Sequence, residues 1–326
     1  MEFRTLVELP QKELTITHAD QILLLGSCFA ENIGNLLINN KFRCEVNPFG
    51  VLYNPLSIAR GLRCLADKRT FSPTDLFASR GLWHSFMHHG SFSASTPEQT
   101  LQNINQRLQP AADQFASLNY LLITFGTAWV FEEKESGTVV ANCHKLPDRA
   151  FNRRMLSVSE ITDAYIPLIE ELITSNPKLK LIFSVSPIRH VKDGMHGNQL
   201  SKAVLLLAIE ELRCHFPENV YYFPSYELLL DELRDYRFYA DDMLHPSDVA
   251  ISYLWESFIK SYFPKETQKI LKEWAEIVKA LQHKPFHPDS AQYKHFLSQI
   301  LLKIIQLKEK CPFLDVAKEI ELCHIQ

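Results

Sequence analysis

The sequence predicts an α/β protein whose parallel sheet is covered by helices on both faces. Three observations predict it. Apolar runs at residues 22–25, 120–125, 179–184 and 220–223 have strand length and lack the alternation of a half-exposed strand, so they read as strands buried on both sides. The segments between them carry apolar residues at helical spacing, as in Ile161, Tyr165, Leu168, Ile169 and Leu172. Strand and helix alternate along the chain, which implies right-handed crossovers.

Residues 1–20 read as a leading strand and a polar connector. The first core strand ends at Gly26, and Phe29, Ile33, Leu36 and Leu37 mark a helix to about Asn40. Cys44, Glu45 and Val46 give a second strand. It runs into residues 47–55, where two Asn-Pro steps and Gly50 predict an ordered loop. A helix is expected over 57–66 and irregular chain over 67–96. Thr96-Pro97-Glu98 opens another helix with proline at its first position. A polar insert follows the strand at 120–125, with Cys143-His144 toward its far end. Then come a helix at 159–175, a strand at 179–184, a helix at 201–214, a strand at 220–223, a short helix at 226–233 and a last core helix through 258.

The tail differs. Ile270, Leu271, Trp274, Ile277, Val278 and Leu281 make one apolar stripe, and Phe296, Leu297, Ile300, Leu301, Ile304 and Ile305 another, joined by a proline-containing hinge at 283–288. This predicts a helical hairpin over 263–326, set apart from a main domain over 1–262. The hairpin is expected either to pack on the core or to make a homo-oligomer contact.

The 326 residues are 46% hydrophobic and 22% charged, an ordinary globular composition. A net charge of −4 argues against a nucleic-acid-binding surface. No apolar run nears the ~20 residues of a membrane span, and the first residues lack an apolar signal core. The seven cysteines include no CxxC and read as reduced thiols. Together these features make a cytoplasmic protein the expectation.

Two stretches carry chemistry. At Gly26-Ser27-Cys28, a hydroxyl and a thiol sit on the turn between the first strand and its helix. Open α/β sheets bind ligands at that edge, where helix N–H groups stabilise an anion. A capping serine beside a buried cysteine is the alternative reading. After the last core strand comes Asp242-x-x-His245-Pro246. An aspartate three residues before a histidine can hold Nδ1 and leave Nε2 free as a base. Either Ser27 or Cys28 is then the candidate nucleophile. Trp83, His84 and Phe86 offer stacking and hydrogen bonds for a substrate cleft, and Arg189, beside Ser186, offers a site for a carboxylate or phosphate. His84 and His88 have helical i,i+4 spacing, but glycines flank them, so no metal and no cofactor is expected.

Gly26-Ser27-Cys28-Phe29-Ala30 spells the motif that names the GSCFA proteins, a group related to the SGNH (GDSL-like) hydrolases, and the sequence resembles that family over roughly residues 1–262. Gly126-Thr127, Cys143-His144-Lys145, Val185-Ser186-Pro187, Ser201-Lys202 and Asp242-x-x-His245-Pro246 extend the resemblance. It implies a flavodoxin-like three-layer α/β/α sandwich with hydrolase or acyltransferase chemistry, and it places His144 among the cleft residues. Aligned without gaps to the superfamily's Gly-Asp-Ser block, Cys28 takes the nucleophile position; a shift of one residue gives it to Ser27. The superfamily's Gly-x-Asn block, whose asparagine lines the oxyanion hole, is replaced here by Gly126-Thr127-Ala128. The substitute donors expected are Asn54 or Gly50, with the backbone N–H groups of residues 26–29.

The function expected is therefore deacylation of a small-molecule or glycan ester by Ser27 or Cys28 with His245 and Asp242. An acyltransferase using an acyl thioester donor and a catalytically silent glycan- or protein-binding relative are the alternatives.

Overall fold

The computed structural model describes residues 4–10, 14–283, 285–287 and 289–324. Five strands form the central sheet: β1 (Gln21–Gly26), β2 (Arg43–Val46), β5 (Tyr120–Phe125), β9 (Lys180–Val185) and β10 (Val220–Tyr222). The order is β2-β1-β5-β9-β10 and every pairing is parallel. This is the flavodoxin-like order. Chain direction across the sheet reverses beside β1, so a crevice opens between the carboxyl ends of β1 and β5, the usual ligand position in such sheets.

Alternation within β1 builds the layers. Leu23 and Leu25 pack into one core with Ile58 and Leu62 of α2 (Pro55–Ala66), Ile104 of α3 (Pro97–Gln114), Ile161 and Leu168 of α4 (Val158–Ser175) and Leu205 of α5 (Gly194–His215). Ile22 and Leu24 face the opposite core with Phe29 and Ile33 of α1 (Cys28–Asn39) and Leu254 and Phe258 of α7 (Asp248–Tyr262). The result is the expected three-layer sandwich.

Several local expectations need correction. Residues 67–96 contain an antiparallel hairpin, β3 (Phe77–Ser79) with β4 (Leu82–His84). The polar insert is a three-stranded antiparallel sheet of β6 (Trp129–Glu133), β7 (Val139–Val140) and β8 (Phe151–Met155), ordered β7-β6-β8. Its strands are short and half-exposed, which hides them from an apolar pattern. Helix α5 starts at Gly194, seven residues before the first periodic position, because its first turns are polar and glycine-containing. Residues 225–232 form the single turn α6 (Ser225–Glu227) and a π-helical turn. The leading strand falls partly on residues outside those described, and the described ones, 4–10 and 14–20, form no strand.

The tail folds as α8 (Lys265–Leu281), α9 (Ala291–Lys310) and a third short helix, α10 (Ala317–His324), around Trp274, Ile277, Leu297, Ile300 and Ile304. The hinge's Lys284 and Pro288 lie outside the described residues. The tail packs on this chain's own core. Trp274 Nε1 donates to Asn39 O at 2.8 Å, and Lys41 pairs with Glu319 at 2.9 Å. Both contacts are at the carboxyl end of α1, so the tail braces the sheet at the end away from the crevice. Among the described residues no helix is long and apolar enough to cross a membrane.

Two contacts set the crevice edge. Gly26 has φ +148°, and a β-carbon there would lie 2.3 Å from Thr124 O. Lys202 of α5 is fully buried; its Nζ donates to Gly126 O at 2.8 Å and Ser186 O at 2.7 Å, tying the ends of β5 and β9 together. Burial draws its pKa down to about 7.

Gly26→Ala is expected to destabilise the protein by at least ~2 kcal/mol, through steric overlap and a disfavoured φ. Urea denaturation measures it; an unchanged midpoint would show that the β1–β5 contact has room to spare.

Candidate active site

The crevice is a cleft of about 460 Å³ lined by Cys28, Tyr53, Asn54, Trp129, Phe131, Cys143, Arg153, Arg189, His190, Lys192 and His245, among others. It draws on the β1–α1 turn, the loop after β2, the insert sheet, the loop after β9 and the loop before α7.

The turn separates its two nucleophile candidates. Ser27 is wholly buried. Its N–H donates to Thr124 O at 3.3 Å, and its Oγ accepts from Phe29 N at 3.3 Å as the N-cap of α1. Cys28 opens the helix and faces the cleft, with its Sγ 3.5 Å from the Tyr53 hydroxyl. Burial, with the Cys28 sulfur next in weight, pushes the Tyr53 hydroxyl well above its usual range, so it stays protonated beside that sulfur. Cys28 N–H, at the first helical position, has no intrahelical acceptor.

His245 lies across the cleft. Its Nδ1 is 2.5 Å from Asp242 Oδ2, which leaves Nε2 free. Asp242 Oδ1 accepts from Leu244 N and His245 N, each at 2.9 Å. These backbone bonds, with the imidazole bond after them, hold the Asp242 carboxyl down at about 2. The loop is clamped from the β9 side. Arg189 Nη2 donates to Met243 O at 2.8 Å and its guanidinium stacks 4.0 Å over Tyr239. Met243 has φ +59°, a strained conformation that the clamp holds in place. Arg189 thus lines the cleft with Nη2 bound to the loop that carries His245, while its buried Nε has no hydrogen-bond partner among the described residues.

The remaining expected site residues divide. Asn54 lines the cleft and caps α2: its Oδ1 accepts from Ser57 N at 2.8 Å and its Nδ2 donates to Ser57 Oγ at 2.9 Å, which leaves its second amide N–H. Gly26, Gly50, Gly126, Ser186, His84 and His144 are not among the lining residues. The N–H of Gly50 goes to Asn47 O, and those of Gly126 and Thr127 both go to Tyr53 O. A β-carbon on Gly126 would lie 3.0 Å from that same Tyr53 oxygen, so the glycine lets the loop close on the strand end. Ser186 is wholly buried, and its carbonyl accepts from Lys202. His84 and His144 stack at 4.5 Å, with Nε2 atoms toward Ser79 O and Ser85 O, and fasten the β3–β4 hairpin to the insert. His88 is buried with its Nδ1 on Ser85 Oγ, and burial holds it neutral with a pKa near 3. Among the described residues no group of three or more His, Cys, Asp or Glu is placed to hold a metal ion.

Sequence reasoning missed Tyr53 and the Arg153–Lys192 wall, and placed His190 with Ser186 and Arg189 at a strand's carboxyl end without giving it a role. His190 meets Tyr53 edge-on at 5.6 Å, and burial holds it neutral with a pKa near 4. Tyr53 carried a signal in its place in a loop bounded by Asn-Pro steps; the others sit in stretches without a local pattern.

Two outcomes follow. Ser27→Ala is expected to cost about 1 kcal/mol through loss of the cap, while the rate of Cys28 alkylation by iodoacetamide changes little. A Cys28 rate that collapses would tie Ser27 directly to the thiol's chemistry. Asp242 is held below its usual 3.8, so its contribution to stability is complete above about pH 4 and lost as pH falls toward 2. The difference in melting temperature between the wild type and Asp242→Asn should shrink across that window; a constant difference would contradict the paired carboxylate.

The sequence profile of the GSCFA family matches residues 21–258, and that described as GSCFA domain protein, C-terminal domain, matches residues 274–326. No curated protein matches the chain. The first match spans the whole sheet and every residue of the cleft, and the chain belongs to the GSCFA family.

Proposed function

We propose that the protein is an acyl hydrolase or acyltransferase of the SGNH (GDSL-like) kind, with Cys28 as nucleophile, His245 as base and Asp242 orienting the imidazole. One observation carries the reading: Cys28 and an Asp242-bound His245 line the same cleft, while Ser27 is turned inward as a helix cap. The strand order and the placement of the Asp-x-x-His loop just before α7 support the superfamily assignment.

At rest the thiol bonds Tyr53, and attack requires it to turn to His245. The Cys28 proton passes to His245 Nε2, and sulfur attacks the acyl carbonyl carbon. The oxyanion is held by the Cys28 N–H and the second N–H of Asn54. Collapse breaks the bond to the leaving alcohol or thiol, which takes the proton from His245, and an S-acyl enzyme remains. Water, or an acceptor hydroxyl deprotonated by His245, then attacks the thioester carbonyl; sulfur leaves and regains the proton. Asp242 stays ionised throughout, stabilising the imidazolium.

The binding-protein alternative draws on one feature: Thr127, where the superfamily has its asparagine, bonds Ser201 Oγ at 3.0 Å. Kinetics on 4-nitrophenyl acetate and a short acyl thioester decide between them. Cys28→Ala is expected to abolish turnover and His245→Ala to lower kcat/KM by roughly 10²–10⁴-fold, with Ser27→Ala within tenfold of the wild type. Full activity in His245→Ala would defeat the mechanism. Loss in Ser27→Ala with survival in Cys28→Ala would move the nucleophile to the hydroxyl.

A further inference from the structure

The cleft holds more positive charge than its own acids neutralise. Arg153 is paired with Asp193 through two bonds, of 3.1 and 2.5 Å. Lys192 and Arg189 also line the cleft, and among the described residues neither has an acidic partner. The cations are set against aromatic faces. Arg153 lies 4.2 Å over the Phe131 ring and 5.5 Å over Trp129, and Lys192 Nζ lies 4.5 Å over Phe131. A flat apolar wall carrying fixed cations suits a ligand whose apolar body ends in an anion. The local field agrees. Burial raises the Cys143 thiol to about 11, and the next influences are Lys192 and Arg153, both favouring negative charge, ahead of the opposing Asp148.

We propose that the cleft takes an acyl ester or thioester bearing a carboxylate or phosphate, with the anion against Lys192 and the Arg153–Phe131 wall and the acyl carbon at Cys28. The proposal rests on Cys28 being the acyl-accepting thiol, and it names the substrate class for that site. Asp193 is part of the design: it holds the Arg153 guanidinium over Phe131, so Lys192 supplies the uncompensated charge on that wall.

The test needs no turnover in its first arm. Alkylation of Cys28 by iodoacetate and by iodoacetamide is followed by peptide mass spectrometry, with glutathione as the reference thiol. The iodoacetate-to-iodoacetamide rate ratio is expected to exceed that of glutathione, to fall roughly threefold or more in Lys192→Gln, and to fall in 0.5 M salt. A ratio equal to that of glutathione and unmoved by Lys192→Gln overturns the proposal, as does failure of both reagents to reach Cys28. The second arm compares kcat/KM for 4-nitrophenyl hemiglutarate with 4-nitrophenyl butyrate, and for acetyl-coenzyme A with acetyl-N-acetylcysteamine. Lys192→Gln should lower kcat/KM for the anionic member of the favoured pair threefold to tenfold more than for its neutral member. The first pair reports a carboxylate, the second a phosphate. Equal effects on charged and neutral members would also overturn the proposal. If no ester or thioester turns over while the alkylation ratio holds, the acyl-transfer reading fails and the anion-binding cleft stands.

Discussion

The Thr124 carbonyl occupies the space where a side chain on residue 26 would begin. That close approach of β1 and β5 fixes the turn that follows. With Gly26 pressed on Thr124, Ser27 N–H is drawn to the same carbonyl and its hydroxyl turns back to cap α1. Cys28 is then the first side chain free to face outward, at the amino end of a helix and over the crevice at which the sheet order reverses. The family's five-residue motif reads physically as one device: a glycine for the approach, a serine for the cap, a cysteine for the cleft, and Phe29 and Ala30 buried to seat the helix.

The rest of the carboxyl edge is held by groups that tie loops to strand ends. The Tyr53 carbonyl takes two N–H bonds from the start of the β5 loop, Lys202 joins β5 to β9, and Arg189 fastens the loop before α7. Each link crosses between elements far apart in sequence. Together they make the edge a frame, so that Cys28 and His245, 217 positions apart in the chain, line one cleft. The buried Lys202 side chain suits this task because its Nζ reaches two carbonyls, of Gly126 and Ser186, at once.

How much of this could be read from the sequence depended on how local each determinant was. β1 and β5 were legible because burial on both faces leaves unbroken apolar runs, and Thr96-Pro97 announced α3 through cap chemistry. The Asp242–His245 pair was legible because i,i+3 geometry is nearly a property of the local chain. The insert sheet was not, since β7 is two residues long and β6 and β8 are half-exposed. Nor was the start of α5, where Gly194, His196, Gly197 and Asn198 break the apolar period. Ser27 and Cys28 are adjacent, so only the tertiary contact with Thr124 separates their directions. Arg189 and His144 have the composition of binding residues, yet one turns to a backbone carbonyl and the other to a neighbouring imidazole; those partners lie 54 and 60 positions away.

The most direct measurement of the central claim is the site of acylation. The protein is mixed with a short acyl thioester or 4-nitrophenyl ester, quenched in acid within a turnover, and mapped by peptide mass spectrometry. The account predicts an acyl adduct on Cys28, labile to hydroxylamine and longer-lived in His245→Ala, where deacylation lacks its base. An adduct on Ser27 or Cys143, or turnover with no adduct on Cys28 even in His245→Ala, would contradict it.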